Sequence, residues 1–301
     1  MKKKNYTIIL ATYNGEEFIQ PQLDSLRLQS IAPKEVLIVD DGSTDQTIPI
    51  IRRYINQYQL THWQIITNEV NKGWRRNFVE SISFASTEFV LFSDQDDIWQ
   101  VDKAEKQLTI FEEQKRAKVV VTGYQVINAK NEWLTKKSFS GQTKKIRFNY
   151  RNYAVQSPGC SYAIRKSFYE DIRPFWHERM AHDAYFWWLG MLTESLIMID
   201  EPLLLYRRHG NNVSGNIQSR EEVVEKIQEN LVFIEKLQEA NMTFNFIQLE
   251  DLYMSNERYL NKYQQYFRVG KQAYTQRNYL KLLVATFKFS SCYRSYPGKK
   301  R

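Results

Sequence analysis

The sequence predicts an α/β fold of the doubly wound class, a mostly parallel sheet with both faces covered. Three features point there. Through the first 125 residues, short strand-type runs alternate with helical patterns. The runs are apolar almost throughout rather than at every second position, as strands buried on both faces require. Each of the first four also ends in a polar cluster.

Taken in order, TIILAT (7–12) is a strand, residues 17–29 a helix, EVLIVD (35–40) a strand and 45–58 a helix. WQIIT (63–67), a helix over 74–86, FVLFS (89–93), a helix over 102–116 and KVVVTG (118–123) continue the alternation. Beyond residue 125 the pattern weakens. Residues 135–150 are polar and basic without a period, which predicts a loop or surface connection. SYAIRKSFYEDI (161–172) reads as a short strand and helix, HDAYFWWLGML (182–192) as an apolar helix, and SLIMIDEPLLLYRRH (195–209) as strand, turn and strand. Val223, Val224, Ile227, Leu231, Ile234 and Leu237 recur at helical spacing, so a C-terminal helical region is expected from about residue 216 to 301. It follows a domain over 1–215, with halves at about 1–125 and 126–215.

Composition narrows the function. With 301 residues and 43% hydrophobic side chains, the chain can bury an ordinary core. No stretch reaches the roughly 18 uninterrupted apolar residues of a membrane span, and the apolar run after the N-terminal lysines is too short for a signal peptide. Cys160 and Cys292 lie in no metal-type spacing, and a reducing, cytoplasmic compartment is expected. The net charge of +8 resides in the tail: residues 271–301 hold eight basic and no acidic side chains, leaving 34 of each sign elsewhere. Nucleic acid is therefore not the expected partner. With its apolar residues between 279 and 289, the tail reads either as a basic amphipathic helix on an anionic membrane or as a terminal helix packed on its own domain.

In doubly wound folds, ligands bind beyond the carboxyl ends of the strands. Those ends carry Thr12-Tyr13-Asn14-Gly15, Asp40-Asp41-Gly42-Ser43, Asn68 through Gly73, and Ser93 through Asp97. Neither GxGxxG nor GKS/GKT occurs, which argues against dinucleotide dehydrogenases and P-loop NTPases. The stretch SDQDDIW places Asp94, Asp96 and Asp97 within four positions. Carboxylates so close repel one another unless a cation, donors or solvent share the site. Hard oxygens suit Mg2+ or Mn2+, which are commonly held by carboxylates together with substrate phosphates. A solvated turn with one N-capping Asp is the simpler alternative.

Together TYNGEEFIQPQLDSL, VDDGSTDQT, NKGWRRNF, SDQDDIW, PGCSYAIRKSF, HDAYFWW and YRRHGNNVSG resemble family-2 glycosyltransferases of the GT-A fold, a Rossmann-like nucleotide-diphospho-sugar transferase architecture. The resemblance is strongest to the bacterial rhamnosyltransferase-like branch of cell-wall and capsule polysaccharide synthesis, and it covers about residues 5–215. It implies a base and ribose pocket at Ala11, Thr12, Tyr13 and Glu16 or Glu17, with Asp41 accepting from a pyrimidine N–H. Asn71, Gly73 and Arg76 would approach ribose or phosphates, and Asp94 the ribose or sugar. Asp96, with Asp97 and His209, would hold the divalent metal, and Arg207 and Arg208 would contact phosphate. Asp183 would be the catalytic base, with His182 standing where the family has Glu. Gly159 would shape the floor where donor sugar and acceptor meet. Of Trp99, Tyr185, Trp187 and Trp188, side chains that at helical spacing are more often core, at most one or two would stack on sugar. A turn acid at Asp41 and an N-cap at Asp183 are the structural alternatives.

The resemblance further implies an inverting enzyme that uses a dTDP- or UDP-linked donor and a glycan acceptor on a lipid carrier, peripheral to the inner face of a bacterial membrane. A sugar nucleotidyltransferase would ordinarily show a Gly-rich N-terminal phosphate loop, which TYNGEEF is not. A silent nucleotide- or glycan-binding protein on the same fold would have no need of the intact acids.

Overall fold

The computed structural model describes residues 5–210 apart from 136, 148–151 and 153–154, together with the isolated helical positions 232, 236, 239, 268 and 272. Among the described residues one nine-stranded sheet is built from β1 (Tyr6–Thr12), β2 (Glu35–Asp40), β3 (Trp63–Thr67), β4 (Phe89–Ser93), β5 (Ile98–Trp99), β6 (Val119–Asn128), β7 (Thr143–Ile146), β8 (Tyr162–Arg165) and β9 (Leu196–Arg208). Its order is β3-β2-β1-β4-β8-β6-β9-β5, and β7 also pairs with β9. The helices are α1 (Ile19–Arg27), α2 (Thr47–Gln57), α3 (Trp74–Ser81), α4 (Lys103–Glu113), α5 (Lys166–Ile172) and α6 (His182–Leu192).

The first four strands run parallel in the order β3-β2-β1-β4, so their carboxyl ends share one edge. Both faces of β1 are buried, as its unbroken apolar run demands: Tyr6, Ile8 and Leu10 on one side, Thr7 and Ile9 on the other, each at 0% exposure. Tyr6, Ile8 and Leu10 join Val36 and Ile38 of β2 and the apolar stripes of the helices in one core. The stripes are Ile19, Leu23 and Leu26 of α1, Ile51 and Tyr54 of α2, and Ala104, Leu108 and Phe111 of α4, each at i, i+3 or i+4 spacing. Past β4 the sheet turns mixed, with β8 antiparallel to both β4 and β6, and β6 parallel to β9.

Two compact units divide the chain. One comprises Met1–Ile146, Ser157–Arg173 and Ser195–Asn212 and carries the sheet; the other comprises Arg147–Gln156, Pro174–Glu194 and Val213–Arg301 and carries α6.

Three elements differ from expectation. Residues 195–209 form one strand, not two: the Asp200-Glu201-Pro202 step is absorbed as register shifts against Thr122, Gly123 and Tyr124 of β6. The segment 135–150 contributes β7, anchored where Ser140 and Lys144 donate to Asp200 at 2.6 and 2.7 Å. The helix expected over 74–86 ends at Ser81 and continues as a 3-10 turn over 82–84. Most of the helix expected over 221–237, and the basic tail except for position 272, lie outside the described residues.

Gly123 is what lets β9 bulge. A Cβ there would lie 2.6 Å from the Glu201 carbonyl oxygen and 3.0 Å from its carbon, and backbone cannot swing aside as a side chain can. Gly123→Ala is expected to lower stability by about 1–3 kcal/mol, the usual cost of overpacking. Urea unfolding would read this as a lower midpoint with an unchanged slope.

Candidate active site

The loops at the parallel edge are bound to one another by side chains that hold main-chain groups. Asp40, at the end of β2, accepts the Thr12 hydroxyl at 2.8 Å, the Ser43 hydroxyl at 2.5 Å and the Gly42 and Ser43 N–H groups at 3.1 and 2.8 Å. The turn acid is thus Asp40. Its neighbour Asp41 reaches the next loop, accepting Lys72 N–H and Gly73 N–H at 2.8 Å each and the Asn68 amide at 2.8 Å. Asn71 closes the same loop by donating to the Asp41 carbonyl at 3.0 Å and accepting from Gly73 N–H at 3.0 Å. Gly73 stands at φ 80° immediately before α3, a left-handed conformation that glycine adopts without steric cost. Arg76 lies on the exposed side of α3 and pairs with Glu80 at 2.5 Å.

On the β1 side, Ala11 is half-buried in register with Val39, Thr12 is buried, and Tyr13 is 48% exposed. Gln95 fixes Tyr13 as a strand partner would: it accepts the Tyr13 N–H at 2.8 Å and donates to the Tyr13 carbonyl at 2.9 Å. Glu16 exchanges bonds with the loop after β2, its N–H donating to Asp45 at 3.1 Å and its carboxylate accepting Gln46 N–H at 2.8 Å.

The acidic triplet is divided by burial. Asp94 and Asp96 are half-buried, whereas Asp97 is fully enclosed. Asp96 Oδ2 lies 2.8 Å from His209 Nε2, each side chain being 14% exposed, and the Phe18 ring packs on the imidazole at 4.7 Å. Asp97 instead accepts the Arg207 N–H at 2.8 Å, and ligand atoms of Asp94, Asp97 and Cys160 lie within 4.8 Å of one another. Burial, followed by the charges of Asp96 and Asp94, pushes the Asp97 carboxyl well above its ordinary range. Burial, aided by Asp97 and Asp94, likewise pushes the Cys160 thiol up and favours the protonated sulfur.

Behind the triplet stands a fully enclosed Lys103, its ammonium 3.3 Å from the centroid of the Trp99 ring. Burial brings its pKa down to about 7, opposed by Cys160 and Asp97. Nothing in the sequence marks this lysine, which opens α4 where a solvated side chain is usual.

Arg207 and Arg208, expected together at phosphate, are separated by the β9 pleat. Arg208 is exposed, over the Tyr206 ring at 5.1 Å. Arg207 is 1% exposed; its Nε donates to the Asp96 carbonyl at 2.6 Å, and its Nη1 to the carbonyls of Asn128 and Ala129 at 3.0 and 3.3 Å and to Asn131 Oδ1 at 2.7 Å.

Gly159 begins a buried 3-10 turn, Gly159–Ser161, that carries Cys160, while Ser157 donates to the Thr122 carbonyl at 3.1 Å. Trp99 is only 3% exposed. In the other unit, Asp183 lies in the first turn of α6, where its carboxylate accepts the Ala184 N–H at 2.7 Å; Ala181, not Asp183, occupies the N-cap position. His182 is buried at the start of the same helix.

Carboxylate and imidazole donors at the carboxyl edge of a parallel sheet match the family expected from the motifs, and the family model described as Glycosyl transferase family 2 matches residues 7–172. The chain belongs to glycosyl transferase family 2. It is 30% identical over 223 residues to the dTDP-rhamnosyl transferase RfbG of Shigella flexneri, a match that covers 68% of this chain and 73% of that protein. Its fold is similar to that of S. aureus TarS solved in complex with UDP-GlcNAc, with TM-score 0.61 and 21% identity over 89% of this chain and 80% of that one. The mannosyltransferase PcManGT of Pyrobaculum calidifontis, solved with GDP-Man and Mn2+, matches with TM-score 0.54 and 16% identity over 78% of this chain and 64% of that one. The fold is therefore GT-A, and this family-2 member is a glycosyltransferase.

Within it, the Arg207 side chain donates to four acceptors, three of them main-chain carbonyls. Arg207→Met would strip donors from several carbonyls at once, and a single unsatisfied buried group costs about 1–3 kcal/mol. A stability loss of at least about 2 kcal/mol is expected by urea titration, and a change below a few tenths would show that water replaces the guanidinium freely.

Proposed function

We propose that this chain is an inverting, divalent-metal-dependent glycosyltransferase of bacterial surface polysaccharide synthesis. It transfers L-rhamnose from dTDP-rhamnose, or a hexose from a UDP-sugar, to a glycan acceptor on a lipid carrier. The observation that carries the reading is the Asp96–His209 pair at the strand-end edge, beside loops already held at fixed spacing. RfbG, named as a dTDP-rhamnosyl transferase, supports the rhamnose donor, and PcManGT, solved with Mn2+, supports the metal.

The carboxylate oxygens suit Mn2+ or Mg2+, and the imidazole nitrogen beside them favours the transition metal Mn2+ of the two. Asp96 and His209 would hold the ion, with Asp97 behind them and Asp94 on the ribose or donor sugar. When bound, such an ion neutralises charge on the departing nucleoside diphosphate. Ala11, Thr12, Tyr13, Glu16 and Asp41 frame the base and ribose. Asn71, Gly73, Arg76 and Arg208 serve the ribose and phosphates, and Arg207 supports them from within. Asp183 takes the proton from the acceptor hydroxyl as that oxygen bonds to the anomeric carbon, while the bond from this carbon to the diphosphate oxygen breaks on the opposite face. His182 and Gly159 serve the acceptor. The basic tail brings the enzyme to the inner membrane surface.

Thermal shift against UDP, dTDP and their sugars, with Mn2+, Mg2+ or EDTA, tests the metal. Stabilisation should require the ion and disappear in Asp96→Ala; stabilisation that survives EDTA would remove the metal from the reading. For the base, Asp183→Asn should cut transfer by about 10²–10⁴-fold, the range of general-base contributions, with nucleotide affinity unchanged. Activity within threefold of the unmodified chain would exclude Asp183 from proton transfer. Deleting residues 271–301 should reduce flotation with anionic vesicles, and an unchanged distribution would argue against the tail as anchor.

A further inference from the structure

A sugar-transferring site needs a surface that grips the acceptor, and Trp99, Tyr185, Trp187 and Trp188, the aromatics expected there, are all buried. Of the seven tryptophans in the chain, Trp133, at 61%, is the one in the exposed class. It sits on a short hairpin where the chain leaves β6 and doubles back: Ile127 bridges Trp133, Asn128 N–H donates to the Glu132 carbonyl at 2.9 Å and Leu134 N–H to the Val126 carbonyl at 2.9 Å. Asn131 takes the left-handed turn at φ 64°, which asparagine tolerates well. The Asn128 carboxamide oxygen accepts the Lys130 and Glu132 N–H groups at 2.9 Å each. The tip is thus internally bonded.

It is also bonded to the acidic turn. The guanidinium that donates to the Asp96 carbonyl donates to Asn128, Ala129 and Asn131 of this hairpin. Ile127, the bridge partner of Trp133, is the register partner of Arg207, two residues before His209. Two strand spacings, about 10 Å, separate the Trp133 main chain from β9 at that level.

From this we infer that the Trp133 hairpin is an acceptor-saccharide subsite, the indole stacking on a sugar of the acceptor behind the accepting residue, with Arg207 keeping hairpin and acidic turn in register. The inference rests on the glycosyl-transfer reading above. An aromatic face covers the C–H side of a pyranose, and the neighbouring Glu132 carboxylate, which accepts the Asn128 amide at 2.8 Å through one oxygen, has further acceptor capacity for its hydroxyls. A lipid surface fits less well. Leu134 is 54% exposed beside the indole and Lys136 and Lys137 follow the balanced Lys130 and Glu132, so the bonding of the hairpin, not its charge, separates the two occupants. A membrane anchor has no need of bonds to the acidic turn.

The test uses the full chain with Mn2+ and UDP or dTDP on an array of immobilised oligosaccharides ending in glucose, galactose, N-acetylglucosamine or rhamnose. At least one saccharide should be captured, with capture at least tenfold weaker in Trp133→Ala and within threefold in Trp133→Phe. Nucleotide affinity by calorimetry should be equal in all three. Capture indifferent to Trp133, or no capture while nucleotide still binds, overturns the inference alone; loss of nucleotide binding in the unmodified chain fells the glycosyl-transfer reading and the inference with it. Flotation with phosphatidylglycerol vesicles that depends on Trp133, without saccharide capture, assigns the hairpin to lipid instead.

Discussion

The parallel edge is held by carboxylates that accept main-chain N–H groups from loops distant in sequence. Asp40 closes its own turn, Asp41 reaches Lys72 and Gly73, Asp45 reaches Glu16, and Asp97 reaches Arg207. The Asp40 bond closes a turn of three residues, whereas the others join segments 29 to 110 residues apart. Bonds to a charged acceptor are stronger than neutral ones, and buried N–H groups left without partners are costly. The loops beyond β1, β2, β3 and β4 therefore stand as one scaffold, in which a ligand meets groups already placed.

That scaffold explains why aspartates outnumber the roles that a donor site could give them. Asp40, Asp45 and much of Asp41 are structural, although their position invites a chemical assignment. Asp41 illustrates the overlap: its two oxygens hold the 68–73 loop, so whatever it offers a base is offered from a carboxylate already fixed in direction. The turn role that the sequence offers as an alternative for Asp41 is filled by its neighbour Asp40.

How much could be read from the chain follows from the range of the interactions. The four parallel strands were legible because full burial demands unbroken apolar runs, a local property. The polar edge followed, since strand direction places every carboxyl end together. The continuous β9 was not legible, because Asp200-Glu201-Pro202 looks like a turn until Gly123, some 80 residues earlier, is known to accommodate it. For the same reason the separation of Asp97 from Asp94 and Asp96, the enclosure of Trp99 and Lys103, and the exposure of Trp133 depend on partners distant in sequence. Spacing places three acids near a ligand; packing decides which of them faces it.

The interior ammonium gives that division a physical meaning. An enclosed carboxylate beside two others is tolerable only with a compensating charge or proton. Lys103 stands on the inner side, against Trp99, and the raised Asp97 and lowered Lys103 show each group's charge opposed by burial. Burial thus favours the protonated form of Asp97. Asp94 and Asp96 keep part of their surface toward solvent, and Asp96 has His209 beside it. A cation arriving from solvent meets these two acids and the imidazole first. The same chain segment that buries Asp97 to anchor β9 through Arg207 leaves Asp94, Gln95 and Asp96 half-buried, so the anchoring of the turn and the partial exposure of its other two acids are set by one change of burial along SDQDD.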